Sequence, residues 1–232
     1  MTKPKIVFFG SDKYSQIVLN ALKKEARFEL VENPALADVG VLASYGKILS
    51  AKEISAPRKG ILNIHPSLLP KYRGATPVPT AILNGETETG VTIIKLDEKV
   101  DHGPIAAQLA EEILPTDTAE TLYFRLFSAG AKVLLTILPA YLEGRIQLRP
   151  QNHSQATYTK RFTRQDGQID WKRTPAYLER FIRAMHPWPG AWTLVEQTKR
   201  LKILSAHLEK GKLVLDQVQL EGKKPVSFKQ FC

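Results

Sequence analysis

Apolar residues first gather in a short run, Ile6-Val7-Phe8-Phe9, which Gly10-Ser11-Asp12 breaks. Ile17, Val18, Ala21 and Leu22 then recur at helical spacing, with Ser11 or Asp12 placed to cap the helix. Phe28–Val31 predicts a second strand. Val39–Ala43 is apolar throughout, as a central strand covered on both faces requires. Ile61–Ile64 predicts another strand, and a loop rich in Pro and Gly (66–74) leads to a helix over Pro77–Asn84. Val91–Leu96 and Ile105–Leu114 read as two further strands. Asp117-Thr118-Ala119-Glu120 sets acidic groups at the positive end of a helix that Leu122, Leu126, Ala129, Val133, Leu134 and Ile137 continue towards Gly144. Strands alternating with helices predict an α/β domain with a Rossmann-like, mostly parallel sheet and helices on both faces.

The pattern changes after Gly144. Gln147–Thr157 is polar, contains Pro150 and lacks any period, so it reads as a linker. Tyr177–Met185 predicts a short helix, and Ala191–Val195, Leu201–Ala206 and Leu213–Leu220 predict short strands between polar turns. These predict a small β-barrel, OB-like in type, or a small sheet appended to the first domain. The expected organisation is a catalytic domain over 1–146, a linker over 147–157 and a second domain over 158–232.

Charge sharpens that division. The 232 residues carry 33 Lys+Arg and 23 Asp+Glu, a net +10. From Ser154 onward there are 15 basic and 7 acidic residues, whereas the stretch before it holds 18 and 16. The basic part suits either plain solubility or a polyanion such as RNA. The hydrophobic fraction of 43% supplies a core and excludes disorder of the whole chain. No run approaches the ~18 apolar residues of a spanning helix, so no membrane association is expected. The sole cysteine, Cys232, excludes an intrachain disulfide, and a reducing cytoplasm is the expected location.

Candidate chemistry concentrates in Asn63-Ile64-His65-Pro66-Ser67-Leu68-Leu69-Pro70-Lys71-Tyr72-Arg73-Gly74. Alternation along a strand puts Asn63 and His65 on one face, at the carboxyl end where open parallel sheets bind ligands. A buried, hydrogen-bonded Asn and a structural His would leave the same trace. A second cluster, Asp97 to Pro104, sits in a turn between two strands, where Gly103 permits a positive φ or a close approach. Together an amide, an imidazole and the Asp101 carboxylate suit transfer at a carbonyl carbon: the first two can stabilise an oxyanion, and the third sets the state of the imidazole or takes up a proton. There is no phosphate loop, no dinucleotide fingerprint and no nucleophile elbow, and His65 and His102 lack metal-ligand spacing, so no metal is expected.

These residues resemble the formyltransferase family that uses 10-formyltetrahydrofolate. Its signature is an Asn-x-His step, then Ser-Leu-Leu-Pro, then a distant Asp-x-Gly, matched by Asn63-Ile64-His65, Ser67–Pro70 and Asp101-His102-Gly103. Glu88–Thr92 and Ala43–Leu49 also fit, as do Pro187–Gly190 and Gly222–Phe228 in the second domain. The last of these resembles the branch acting on initiator methionyl-tRNA more than the sugar-modifying branch. The resemblance implies formyl transfer to the methionyl amino group, with Asn63 and His65 polarising the formyl oxygen and Asp101 positioning His65 and removing a proton. It implies a folate pocket walled by Ser67, Leu68, Leu69, Pro70, Tyr45, Gly46 and Ile48. Lys and Arg beyond Ser154 would meet tRNA phosphates, and a monomer is expected.

One departure stands out. The tRNA branch carries a longer segment, including a basic loop that enters the acceptor arm, where this chain has only Glu32–Asp38 between Val31 and Val39. A sugar-nucleotide N-formyltransferase shares the same trio and co-substrate, and a formyltetrahydrofolate hydrolase a similar one. A non-catalytic RNA-binding relative is the reading from another class.

Overall fold

The computed structural model describes residues 2–196 and 198–231, so Cys232 lies outside the described residues. The chain opens with β1 (Lys5–Phe9) and α1 (Lys13–Lys24). Asp12 is the cap: its carboxylate accepts from the backbone N–H groups of Tyr14 and Ser15, and the Ser15 hydroxyl accepts from the Asp12 N–H in return. There follow β2 (Glu29–Val31), β3 (Val39–Ala43), α2 (Ala51–Ser55), β4 (Ile61–His65), β5 (Arg73–Gly74) and α3 (Pro77–Asn84). Next come β6 (Glu88–Lys95), β7 (Ile105–Glu112), α4 (Ala119–Leu142) and β8 (Tyr158–Thr159). The five-residue α2 has no counterpart in the hydrophobic pattern because it buries no side chain; the Ser50–Glu53 capping box starts it instead.

The main sheet has the order β2-β1-β3-β4-β6-β7. Pairing is parallel from β2 to β4 and antiparallel at β6 and β7, so a β6–β7 hairpin closes one edge. The connection from β2 to β3 passes over β1 in only the residues Glu32–Asp38, whereas parallel crossovers ordinarily need about a dozen. Register explains why so few suffice. The three-residue β2 ends level with Val7 and β3 begins level with Ile6, so the chain steps sideways and almost not at all along the sheet. A 3-10 turn at Pro34–Leu36 makes the step, and Asp38 ties its end to the backbone N–H of Lys5 at 2.8 Å.

The chain divides into two compact units. The first comprises the residues up to Pro77, Glu88–Glu112 and Tyr123–Thr159; the second comprises Val78–Thr87, Ile113–Leu122 and Lys160 onward. In the first unit Ile6, Val41, Leu62, Ile64, Val91 and Ile93 of the sheet pack with Phe127, Ala131, Leu134 and Leu138 of α4. Gly130 permits that approach, since a Cβ there would lie 2.6 Å from the Ile64 side chain. By length and composition α4 would also suit a membrane crossing; here its apolar face fills this core. Residues 147–157 are built into the same unit rather than forming a free tether. Arg149 exchanges both backbone hydrogen bonds with Ile105, at 2.8 and 2.9 Å, and Gln151 is buried.

The second unit holds α5 (Pro175–Met185), capped by Thr174, then β9 (Ala191–Val195), β10 (Lys199–Glu209), β11 (Lys212–Leu220), β12 (Val226–Ser227) and α6 (Phe228–Phe231). The strands form an antiparallel sheet in the order β12-β11-β10-β9, the small barrel-like domain the pattern implied. Phe181, Ile182, Met185, Leu201, Ile203 and Val218 make its core.

Candidate active site

Period-two alternation on β4 sets Asn63 and His65 on one face, and both are buried. The turn between β6 and β7 brings Asp101 against them. The Asn63 amide donates to Asp101 Oδ1 at 3.3 Å, and His65 Nδ1 lies 3.5 Å from Asp101 Oδ2. The three residues named from the sequence therefore converge. His65 Nε2 is 2.9 Å from the Tyr72 carbonyl oxygen. A carbonyl only accepts, so Nε2 carries a proton and Nδ1 is the ring atom left to work with Asp101. One N–H of the Asn63 amide goes to Asp101, which leaves the second for a ligand.

Asp101 is held from four sides. Its φ of 47° is left-handed backbone, which a non-glycine residue keeps only when its surroundings impose it. The Gly74 N–H donates to Oδ2 at 2.8 Å. The Gln151 amide donates to the Asp101 carbonyl at 2.9 Å and to that of Gly103 at 2.7 Å. Gly103 itself touches the neighbouring strand: a Cβ there would stand 1.9 Å from the Lys95 carbonyl oxygen. The glycine is thus required for close approach, and the positive φ of this turn falls on Asp101.

Behind the turn lies Arg73, 1% exposed. It donates to Gln151 Oε1 from Nη2 at 2.6 Å, to the Tyr158 hydroxyl at 3.1 Å and to His153 Nδ1 at 2.9 Å. That last bond needs an unprotonated Nδ1. Desolvation first, then the neighbouring His102, Arg73 and Lys99, hold His153 below the ordinary imidazole range, which agrees. The His153 ring stacks on His102 at 4.0 Å, and His102 Nδ1 meets Asp97 at 2.6 Å. The chain Arg73–Gln151–Asp101 therefore fixes the backbone of the turn that carries the carboxylate. Gln151→Leu should leave Arg73 short of an acceptor and two carbonyls short of a donor, a cost of about 2–3 kcal/mol. A fall in Tm of roughly 5–10 °C follows, measurable by thermal denaturation.

The residues expected to wall a folate pocket fall into two groups. Tyr45 packs edge-on against Phe9 with centroids 5.7 Å apart, Gly46 has φ 73°, and Ile48 is 88% exposed. With Ser11 donating to the Ser44 and Tyr45 carbonyls at 3.1 and 2.8 Å, this loop follows β3 at the carboxyl end of the parallel strands. In the other group the side chains turn inward. The Ser67 hydroxyl donates to the Lys71 carbonyl at 2.7 Å, and Leu69 packs with Ile94 and Ile105. Thr92 and Gln108 pin their backbone: Thr92 Oγ1 bonds the Ser67 carbonyl at 2.6 Å and Gln108 the Leu69 carbonyl at 2.9 Å. Leu68 and Pro70 are half-buried.

Sequence reasoning did not assign Arg73, Gln151, Thr92 or Gln108 to the site. Arg73 stood inside the densest chemical segment and Thr92 inside the Glu88–Thr92 match; Gln151 gave no signal.

A family profile described as "Formyl transferase" matches residues 20–138, and one described as "Formyl transferase, C-terminal domain" matches 161–213. A methionyl-tRNA formyltransferase of Chloroflexus aggregans is 51% identical over 169 residues, covering 73% of this chain and 54% of the relative. One from Roseiflexus castenholzii is 43% identical over 213 residues, covering 82% and 68%. The chain thus spans between half and about two thirds of the length of these relatives. Among solved structures, methionyl-tRNA formyltransferase from Clostridium thermocellum gives a TM-score of 0.73 at 18% identity, covering 94% of this chain and 98% of that one. HypX from Aquifex aeolicus in complex with tetrahydrofolic acid gives 0.77 at 15%, covering 98% and 46%. At those identities the likeness is one of fold. With both profiles matched in order, and a relative above 40% identity covered over two thirds of its length, this chain belongs to the formyl transferase family.

Proposed function

We propose that the chain transfers a formyl group from 10-formyltetrahydrofolate to the amino group of methionyl initiator tRNA. The observation that carries this reading is the convergence of Asn63, His65 and Asp101 on a carboxylate turn held by Gly74 and Gln151. The folate co-substrate supplies an activated formyl carbon; the loop at 44–49 and the backbone of 67–70 would hold it. The second N–H of Asn63 lends positive charge to the formyl oxygen as the amine attacks, beside a His65 ring oriented by Tyr72 and Asp101. The new N–C bond forms as the bond to the folate nitrogen breaks. Asp101 takes the proton the amine gives up and is placed to pass it to the departing nitrogen, so charge balances over the cycle. No metal is needed for these steps.

Support for the tRNA acceptor comes from the curated relatives and from the basic stretch beyond Ser154, where 15 Lys+Arg stand against 7 Asp+Glu. The domain assignment that goes with it is a catalytic part formed mainly from residues 1–146 and a tRNA-facing part from 158–232, acting as a cytoplasmic monomer. A sugar-nucleotide acceptor is the second reading, favoured by the short Glu32–Asp38 crossover. An assay with 10-formyltetrahydrofolate should compare methionyl initiator tRNA, methionyl elongator tRNA and an amino-sugar nucleotide. Transfer to the initiator, falling steeply as salt rises, is the expected result. Transfer to the sugar alone would overturn it.

A further inference from the structure

The second unit contains a cavity of about 370 Å³ that the proposed chemistry does not use. Trp188, Trp192, Arg164, Arg200 and Lys202 line it, and Glu221 is the sole acid among the described lining residues. Trp188 is 54% exposed, a large aromatic face presented to solvent between two prolines. Trp192 is fixed: its indole N–H donates to the Arg164 carbonyl at 2.9 Å, and the Arg200 guanidinium sits 4.5 Å above its ring. On β10, Leu201 points into the core, so Arg200 and Lys202 both face away from it towards the cavity. Among the described residues no carboxylate forms an ion pair with Arg164, Arg200 or Lys202. Glu221 Oε2 accepts instead from the Arg200 backbone N–H, at 3.4 Å.

A hollow with one open aromatic face and three unneutralised cations suits a ligand that is both flat and anionic. Its size is at the low end of small-ligand pockets, roughly 300–1,000 Å³, room for one planar group and not for a helix. Bases inside a duplex are stacked and cannot enter such a hollow, whereas an unpaired base can be splayed onto an aromatic ring. We propose that this cavity takes one unstacked nucleotide of a single-stranded RNA segment, the base lying on Trp188 and the flanking phosphates meeting Arg164, Arg200 and Lys202. The proposal rests on the reading that the second unit faces RNA, and it adds a preference for unpaired over paired strands.

The test is a fluorescence-anisotropy titration of the full chain with a labelled 12-nucleotide single-stranded RNA and with an RNA duplex of the same length. Trp188→Ala should weaken single-strand binding about tenfold and leave duplex binding within twofold, while Trp188→Phe keeps most of the affinity. Lys202→Gln should weaken single-strand binding and lower its salt slope by about 0.7. Trp188 is half in water, so its loss should leave the melting temperature unchanged. Equal loss on both probes, or no loss on either, would overturn the cavity proposal while leaving an RNA-binding second unit in place. Wild-type protein that binds neither probe would remove the RNA reading itself. Binding of adenosine monophosphate as tight as that of the single strand would reassign the cavity to free nucleotides.

Discussion

Asp101→Asn should reduce formyl transfer by about 10²–10⁴-fold, the range general acid–base groups contribute. The geometry allows no substitute. Asp101 Oδ2 is 3.5 Å from His65 Nδ1, and no second carboxylate is bonded to Asn63 or His65 among the described residues. An asparagine keeps the size of the side chain but cannot take the amine's proton. It also sets an amide N–H against either the Gly74 N–H or the Asn63 amide, both of which now donate to the carboxylate. That mismatch costs about 1–3 kcal/mol, which lowers Tm without unfolding the protein. Steady-state kinetics should put the loss in kcat, with tRNA affinity by filter binding within about threefold. A parallel collapse of tRNA affinity would mean that Asp101 is structural.

Gly103→Ala should be as damaging by a different route. Its Cβ would stand 1.9 Å from the Lys95 carbonyl oxygen, 3.0 Å from the carbonyl carbon and 3.3 Å from the Asp97 nitrogen. All three are main-chain atoms, so no side chain can swing aside, and the turn must lift off β6. Gln151 then loses its bond to the Gly103 carbonyl, and Asp101 moves with the turn. A cost of about 3 kcal/mol is expected from overpacking of this kind. Tm should fall by roughly 6–12 °C for a chain of this size, and transfer should drop to the level of the Asp101 variant. Gly144→Ala is the control. Nothing lies within 4 Å of a Cβ there, so only its φ of +77° is strained, at about 1 kcal/mol. Transfer by that variant should match wild type; a comparable loss of activity would show that Gly103 acts only through global stability.

The residues that act on one local element were legible in the sequence. Asn63 and His65 show themselves because β4 alternates with period two, and Asp12 because a cap must precede a helical pattern. Asp101 was legible from its turn and its glycine, though which of the two residues held the positive φ was not. Residues that act across long separations left no such mark. Gln151 bonds Asp101 and Gly103 some 50 residues away and Arg73 78 away, from inside a stretch whose polarity and lack of period resemble a linker. Two-residue strands such as β5 and β8 are shorter than any period. The direction of β6 was equally hidden, since hydrophobic alternation does not distinguish parallel from antiparallel pairing. Leu69 reads in a motif as a pocket wall; its side chain packs with Ile94 and Ile105 while its backbone bonds Thr92 on β6 and Gln108 on β7, long-range contacts that no local pattern carries.

The short step from β2 to β3 bears on how such a protein can change. Its two ends sit one register position apart on either side of β1, and Glu32, Asn33, Ala35 and Leu36 are exposed. A segment of any length can therefore be spliced in or trimmed away there without shifting the pairing of β1, β3 and β4. The cost of a longer excursion grows only as the logarithm of its length, about 0.6 kcal/mol per doubling. This corner is a natural socket for a transplanted loop: a gripping element could be grafted onto it and the acceptor changed, with Asn63, His65 and Asp101 left where they are.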